Sequence, residues 1–315
     1  MGATYIREGV IIANYPVDLH VHTTASDGTL GPTQVIELAA ADGLNVIGIA
    51  DHDTVGGITE ALAAGARLGI EVVPAVELSI QNEVENGFVE LHLLGYGIDH
   101  TDPALVSVLE RVIQARTEQK VAQIKVLQRD GIDVSVKEVF AVAGGVPGRP
   151  HIAQVVMARN PGRFPSVAAL FLEYLSESGK AYVPRSFSLR LAEAVDLVVQ
   201  AGGVAVLAHP GAYPKVGDPA EVVRRARDEA GIQGLEVAYT YDKNRPHYGA
   251  SPQQVAALIA RFSALADSLG LLKTGGSDFH GAGKDIALGE QGLTPEEFAH
   301  FKSKWLNSGN RVQSQ

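Results

Sequence analysis

The chain contains no cysteine. That absence removes disulfide frameworks, thiolate zinc sites and cysteine-nucleophile phosphatase chemistry together. Long apolar runs are missing as well, and none reaches the length needed to span a bilayer. Met1 to Pro16 holds Arg7, Glu8 and a short Val10-Ile11-Ile12-Ala13 patch. It lacks the cationic start and longer apolar stretch of a secretory leader, so a cytoplasmic location is the expectation. Basic residues are outnumbered, 26 Lys and Arg against 36 Asp and Glu, for a net charge of −10. Broad electrostatic binding of duplex nucleic acid is therefore not expected. A small anionic substrate stays compatible, because two or three divalent cations would reverse the local field inside a cleft. Internal repeats and low-complexity segments are also lacking.

With 315 residues, 46% of them apolar, the chain can build one large barrel or two ordinary domains. Apolar runs of strand length fall near residues 17–22, 45–50, 71–77, 89–95, 204–208, 234–238 and 272–275. Helical periodicity separates many of them, over 32–42, 57–68, 189–201, 219–230 and 252–269. Such alternation predicts an α/β fold with a parallel sheet and right-handed crossovers. It breaks between Asp102 and Ser178, where nearly everything reads as helix. The economical organisation is a discontinuous barrel domain over 17–100 and 180–290, with a helical cap inserted over 101–179. An N-terminal extension (1–16) and a polar, frayed tail (301–315) complete it.

Donor residues stand at the ends of these apolar runs. Asp18, His20 and His22 share one face of the first strand, and Asp18 is placed to hold a histidine in position. Asp51-His52-Asp53 follows the second run and Glu77 the third. Val89-Glu90-Leu91-His92, Ala208-His209-Pro210 and Ser277-Asp278-Phe279-His280 supply the rest. A lone buried histidine is usually a satisfied core residue, but core histidines have no reason to fall repeatedly at strand ends. A parallel barrel gathers its βα loops at the carboxyl ends of its strands, and imidazole with carboxylate suits divalent metals. The pattern predicts a multinuclear metal hydrolase.

The segments Asp18-Leu19-His20-Val21-His22, Asp51-His52-Asp53-Thr54, Val76-Glu77-Leu78-Ser79, His92-Leu93-Leu94-Gly95, Ala208-His209-Pro210 and Gly276-Ser277-Asp278-Phe279-His280-Gly281 resemble the motifs of the PHP (polymerase and histidinol phosphatase) superfamily. The likeness is greatest to its stand-alone phosphoesterases acting on nucleoside phosphates, including nucleoside 3′,5′-bisphosphates. It covers residues 18–100 and 180–290, and Gly148-Arg149-Pro150-His151 also looks like that subgroup. The resemblance implies a distorted (β/α)7 barrel and a site for two or three divalent ions. His20, His22, Glu77 and Asp278 would hold the first, and Asp27, His52 and His280 the second. Glu77, His92 and His209 would hold the third, with Glu77 bridging. Asp27-Gly28 stands where some members carry a histidine, so the second site is richer in oxygen. Manganese, iron and zinc all suit these donors. The implied reaction is attack on a phosphate monoester by metal-bound hydroxide.

A phosphate ester also needs cationic handles. Arg149 and His151 are the leading candidates, both for binding and for assisting the reaction, followed by Lys180; Arg116 and Arg185 rank behind them. The bland alternative is that Arg149 pairs with a surface carboxylate and His151 begins a helix. His100, His247 and His300 lack strand-end context and read as surface residues. Alternative activities are histidinol-phosphate hydrolysis and 5′–3′ cleavage of short oligonucleotides, with Phe164, Phe171, Tyr174 and Tyr182 as stacking candidates. An amidohydrolase cutting C–N bonds also begins with His-x-His. A non-catalytic polymerase-attached module fits less well, because the ligand set is complete. The Asp-x-Asp of Asp51-His52-Asp53 suggests an aspartyl-phosphate phosphatase, but the later acidic pair that mechanism needs is missing.

Overall fold

A computed structural model describes residues 6–7, 10–11, 13–143, 145–176, 178–282 and 284–309. Seven strands form one sheet in chain order: β1 (Val17–Val21), β2 (Val46–Ile49), β3 (Glu71–Ser79), β4 (His92–Tyr96), β5 (Val204–Leu207), β6 (Gly234–Ala238) and β7 (Leu272–Gly275). Every residue of β1, β2, β5 and β6 is buried, as strands covered on both faces require. The sheet nearly closes on itself. Beyond β7, Asp278 N–H donates to His20 O and His22 N–H to Phe279 O, both at 2.9 Å. The distorted seven-stranded barrel is as expected.

Its strand directions are not. β4 runs antiparallel to both β3 and β5, whereas alternation with helices predicted parallel neighbours throughout. Only Ile80 to Leu91 joins β3 to β4, and it holds a single short 3-10 turn, Val84–Asn86. That is too short for a helical crossover, so the chain turns back. The correction matters for His92. It is the first residue of β4, and because the strand is reversed, its amino end lies beside the carboxyl end of β3, in register with Ser79.

Alternation places the core and the site on one face. Val73 and Ala75, Leu94 and Tyr96, and Val204 and Val206 join one buried cluster with Phe298 and Phe301. Continuing the period of two puts Glu77 and His92 on that face. The helices are α1 (Pro32–Ala41), α2 (Ile58–Leu68), α3 (Pro103–Arg129), α4 (Val136–Ala143), α5 (Arg149–Arg159), α6 (Val167–Leu170), α7 (Leu191–Gln200), α8 (Pro219–Arg225), α9 (Pro252–Leu269) and α10 (Pro295–Gly309). α9 shows how locally they are specified. Ser251 Oγ accepts from Gln254 N–H, Pro252 opens the first turn, and Gly270 closes the helix at φ 67°.

Two compact units result: residues 1–107 with 189–315, and residues 108–188. The second is helical, with its own core of Ile124, Leu127, Ile152, Val156, Leu170 and Leu175. The expected tail is overtaken by α10, whose Phe298 and Phe301 are buried. Residues 310–315 and, in the expected N-terminal extension, 1–5, 8, 9 and 12 lie outside the described residues. No helix among the described residues is long and apolar enough to cross a membrane.

Candidate metal centre

Glu77 is the hub of the barrel unit. It is 1% exposed, and its two oxygens meet five imidazoles brought by four separate segments. Oε2 lies 3.2 Å from His20 Nε2, 3.2 Å from His22 Nε2 and 3.1 Å from His52 Nδ1. Oε1 lies 2.7 Å from His92 Nδ1 and 3.2 Å from His209 Nε2. Asp278 Oδ1 stands 3.2 Å from His22 Nε2 and 3.6 Å from His20 Nε2. Asp27 faces His280 Nε2 at 3.4 Å, His22 Nδ1 at 3.7 Å and His52 Nε2 at 3.9 Å. All nine residues expected as ligands are thus brought together.

Among the described residues, three groups could each hold an ion: His20, His22, Glu77 and Asp278; His22, Asp27, His52 and His280; and His52, Glu77 and His92. The first matches the expected set. The second gains His22. In the third, His52 stands beside Glu77 and His92, while His209 reaches the same Glu77 oxygen. His52 can therefore serve either side, since its two nitrogens face Asp27 and Glu77.

The donor spacing suits metals. Ligand atoms ~2.0–2.1 Å from a tetrahedral ion lie about 3.3 Å from one another, close to the contacts Glu77 makes. Among the described residues, both His22 nitrogens, His52 Nδ1 and His209 Nδ1 are buried without a hydrogen-bond partner. Buried polar atoms are rarely left so, and bound ions would satisfy those aimed at carboxylates.

The electrostatics are tightly coupled. Burial opposes a charged His20 ring, but Glu236 and Glu77 outweigh it and hold its pKa well above the ordinary imidazole range. For His22, burial is again overcome, here by Asp278 and Glu77, which push it up to about 9. Burial drives His52 the other way, down to about 3. Glu77 falls well below the usual carboxylate range, because His52, His92 and His20 outweigh its burial.

The supporting carboxylates differ from expectation. Asp18 holds no imidazole. It accepts from Ser277 Oγ (2.5 Å), Ser277 N–H (2.9 Å), Gly289 N–H (2.9 Å) and His20 N–H (3.2 Å), pinning β1 to the segment after β7. Gly276 permits that approach, since a Cβ there would lie 2.4 Å from the His20 backbone nitrogen. Asp51 accepts from Thr23 N–H, Thr23 Oγ1 and Ser26 Oγ at 2.6–2.7 Å, ordering the loop that carries Asp27. Asp53 accepts from Ser79 N–H at 2.8 Å and is buried, which does not suit a nucleophile. Asp53, His209 and Asp278 adopt positive φ (54°, 23° and 61°), a strained backbone region for non-glycine residues.

Sequence reasoning missed three supports. Glu236 on β6 is fully buried against His20 and the His209 backbone. Tyr239 Oη and Lys284 Nζ each donate to Asp278 Oδ2 at 2.8 Å. An ionisable residue inside a buried strand, Gly-Leu-Glu-Val-Ala, was the available signal for Glu236.

The phosphate candidates lie in the 108–188 unit. His151 does sit in the first turn of α5, where its Nδ1 accepts from Gly148 N–H at 3.0 Å; a neutral ring then carries its proton on Nε2. Arg149 donates a long 3.4 Å bond to Leu175 O. Lys180 pairs with Glu173 at 2.8 Å on the surface, so its charge is already offset. The unit also contains Lys120, 6% exposed, whose Nζ donates to Gln119 and Gln123. Burial, with Arg185, Arg116 and Arg149, brings its ammonium down to about 7. Of the stacking candidates, Phe164 and Tyr174 are buried against each other, while Tyr182 is exposed.

The profile of the PHP domain matches residues 18–183. A 3′,5′-nucleoside bisphosphate phosphatase of Chromobacterium violaceum is 33% identical over 85% of this chain and 88% of its own. A 5′-3′ exoribonuclease of Haemophilus influenzae is 31% identical over 84% and 89%. Among solved structures, one described as an amidohydrolase from Chromobacterium violaceum with bound sulfate superposes with a TM-score of 0.73, at 31% identity over 92% of this chain and 96% of that one. Another, described as a metal-dependent phosphoesterase from Bifidobacterium adolescentis, gives 0.72 at 29% identity over 91% and 96%.

Proposed function

This chain belongs to the PHP domain family and is a metal-dependent phosphoesterase, and we propose that its substrate is a phosphate monoester of a nucleotide, with a nucleoside 3′,5′-bisphosphate as the leading candidate. The observation that carries the reading is the Glu77 carboxylate ringed by five imidazoles. His20, His22, Glu77 and Asp278 would hold one divalent ion, Asp27, His52 and His280 a second, and Glu77, His92 and His209 a third. Such ions, manganese, iron or zinc, would supply an attacking water acidic enough for neutral pH and positive charge for the phosphoryl oxygens.

The remaining work falls to the chain. Arg149 binds phosphate oxygens through its guanidinium fork, and the Nε2–H of His151 donates a further bond and assists departure of the ester oxygen. Lys180 would have to leave Glu173 to take part, which makes it the weakest of the three. Three arginines of one helical unit, Arg116, Arg149 and Arg185, all close enough to depress the ammonium of Lys120, favour a ligand with more than one phosphate. That supports a bisphosphate over histidinol phosphate. The 101–179 segment, with Arg185 just beyond it, is proposed to supply these substrate-binding cations. A 5′–3′ exonuclease acting on short oligonucleotides is the second reading, favoured by the Haemophilus relative. It suffers because two of its four stacking candidates are core residues.

The test is phosphate release across nucleoside monophosphates, 3′,5′-bisphosphates, histidinol phosphate and short oligonucleotides, after bound metal has been measured. p-Nitrophenyl phosphate and a panel of dihydroorotate and hydantoins serve as controls. Preference for the bisphosphate is expected. Hydrolysis of the C–N substrates with no phosphate released would overturn the proposal.

A further inference from the structure

Glu236 lies on β6 with no exposure to solvent. One oxygen, Oε1, stands 3.0 Å from His20 Nδ1, and the other, Oε2, accepts from His209 N–H at 2.9 Å. A buried carboxylate at mid-strand is expensive, and an apolar residue of like volume there is often more stabilising. Barrel closure does not call for it: Asp18, with Ser277 and Gly289, ties the ends of the sheet. Nor is it paired with lysine or arginine among the described residues. Its two contacts are the ring of one residue facing Glu77 and the backbone of another.

The geometry points to Glu236 as a positioning residue of the metal centre, one carboxylate that sets two ligands. On the His20 side it accepts the proton on Nδ1, so that the lone pair of Nε2 is presented toward Glu77 Oε2 and Asp278 Oδ1, at 3.2 and 3.6 Å. A carboxylate behind a ligating imidazole fixes its tautomer and orientation and raises its basicity. On the His209 side the contact is to the main chain. His209 occupies an unfavourable φ of 23°, and the bond from its N–H holds that conformation, aiming Nε2 at Glu77 Oε1. His20 and His209 are 189 residues apart in the chain, yet a single side chain between them couples their positions.

This rests on the assignment of His20 and His209 as ligands, and the experiment separates the two. Glu236→Gln keeps the volume and an acceptor for Nδ1–H but removes the charge; Glu236→Leu removes both. Zinc and manganese affinities would be measured by chelator competition, with melting temperatures taken in excess chelator. The tautomer of His20 would be read from long-range 1H–15N spectra of histidine-labelled protein. Glu236→Gln is expected to bind metal about ten- to a hundredfold more weakly while still unfolding cooperatively in chelator. Glu236→Leu should weaken binding further and release His20 into mixed tautomers. Equal metal affinity in the parent and Glu236→Gln, with the His20 tautomer unchanged in both variants, would overturn the positioning role alone. A parent protein that binds neither ion would overturn the ligand assignment and this role with it.

Discussion

Lys120 gives a stability test that needs no metal. An unfolded lysine keeps its proton to about pH 10.4, whereas the folded group gives it up near 7. Between those values the unfolded chain binds more protons, so stability rises with pH there. The cost of burying the ammonium is fully present below pH 7 and is relieved as the pH climbs. One proton of difference amounts to about 1.4 kcal/mol per pH unit, and since the folded group is half-titrated at 7, the gain from pH 7 to 9 integrates to about 2 kcal/mol. Lys120→Met keeps the apolar stem and cannot titrate. Urea unfolding in excess chelator, followed by circular dichroism at pH 7, 8 and 9, reads the effect. The one tryptophan, Trp305, belongs to the other unit, so its fluorescence would miss the helices around Lys120. The parent should gain about 2 kcal/mol on the variant across this range. Parallel pH profiles for the two proteins would refute the buried, proton-shedding lysine.

Three further outcomes follow from the site. Glu77→Gln should lower metal content by more than one ion per chain and nearly abolish activity; full metal retention by elemental analysis would remove its bridging role. Arg149→Ala should keep its metals and lose about 10² to 10³ in kcat/KM, with only partial rescue by lysine; a parent-like rate would reduce Gly-Arg-Pro-His to a structural turn. Acid should expel metal from the centre, because His20 and His22 hold protons well above the ordinary imidazole range and must release them to bind ions. The raised value of His22 stabilises the metal-free fold fully below about pH 6.5 and loses that contribution as pH passes about 9. Metal affinity that does not change between pH 8 and 6 would contradict this assignment.

The convergence of the expected donors was legible because a period of two and a strand end together dictate where a side chain goes. His20, Glu77 and His209 needed nothing more. The direction of β4 was hidden, since a short strand buried on both faces looks the same read either way. The clue lay outside it, in the twelve residues from Ile80 to Leu91, which have no helical period. Glu236 was overlooked because a lone carboxylate in an apolar strand has no partner within its own segment; its partners come from residues 20 and 209. Asp18 was given the wrong task for the same reason. Its face was predicted correctly, but the Ser277 and Gly289 donors that claim it lie far along the chain. The ion pair of Lys180 was local and could have been weighed, since Glu173 is seven residues away.

The reversal of β4 has a consequence for how such a protein can change over generations. Tyr96 at the end of β4 is in register with Val204 at the start of β5, so the whole 108–188 unit is, topologically, the loop of a hairpin. Closing a loop costs little more as it lengthens, about 0.6 kcal/mol for each doubling. The barrel and its nine donors can thus tolerate replacement, shrinkage or growth of that loop at small cost to their own folding. The donor cluster of the barrel and the inserted helical unit are encoded on separate stretches of one gene, and the second can drift while the first stays fixed.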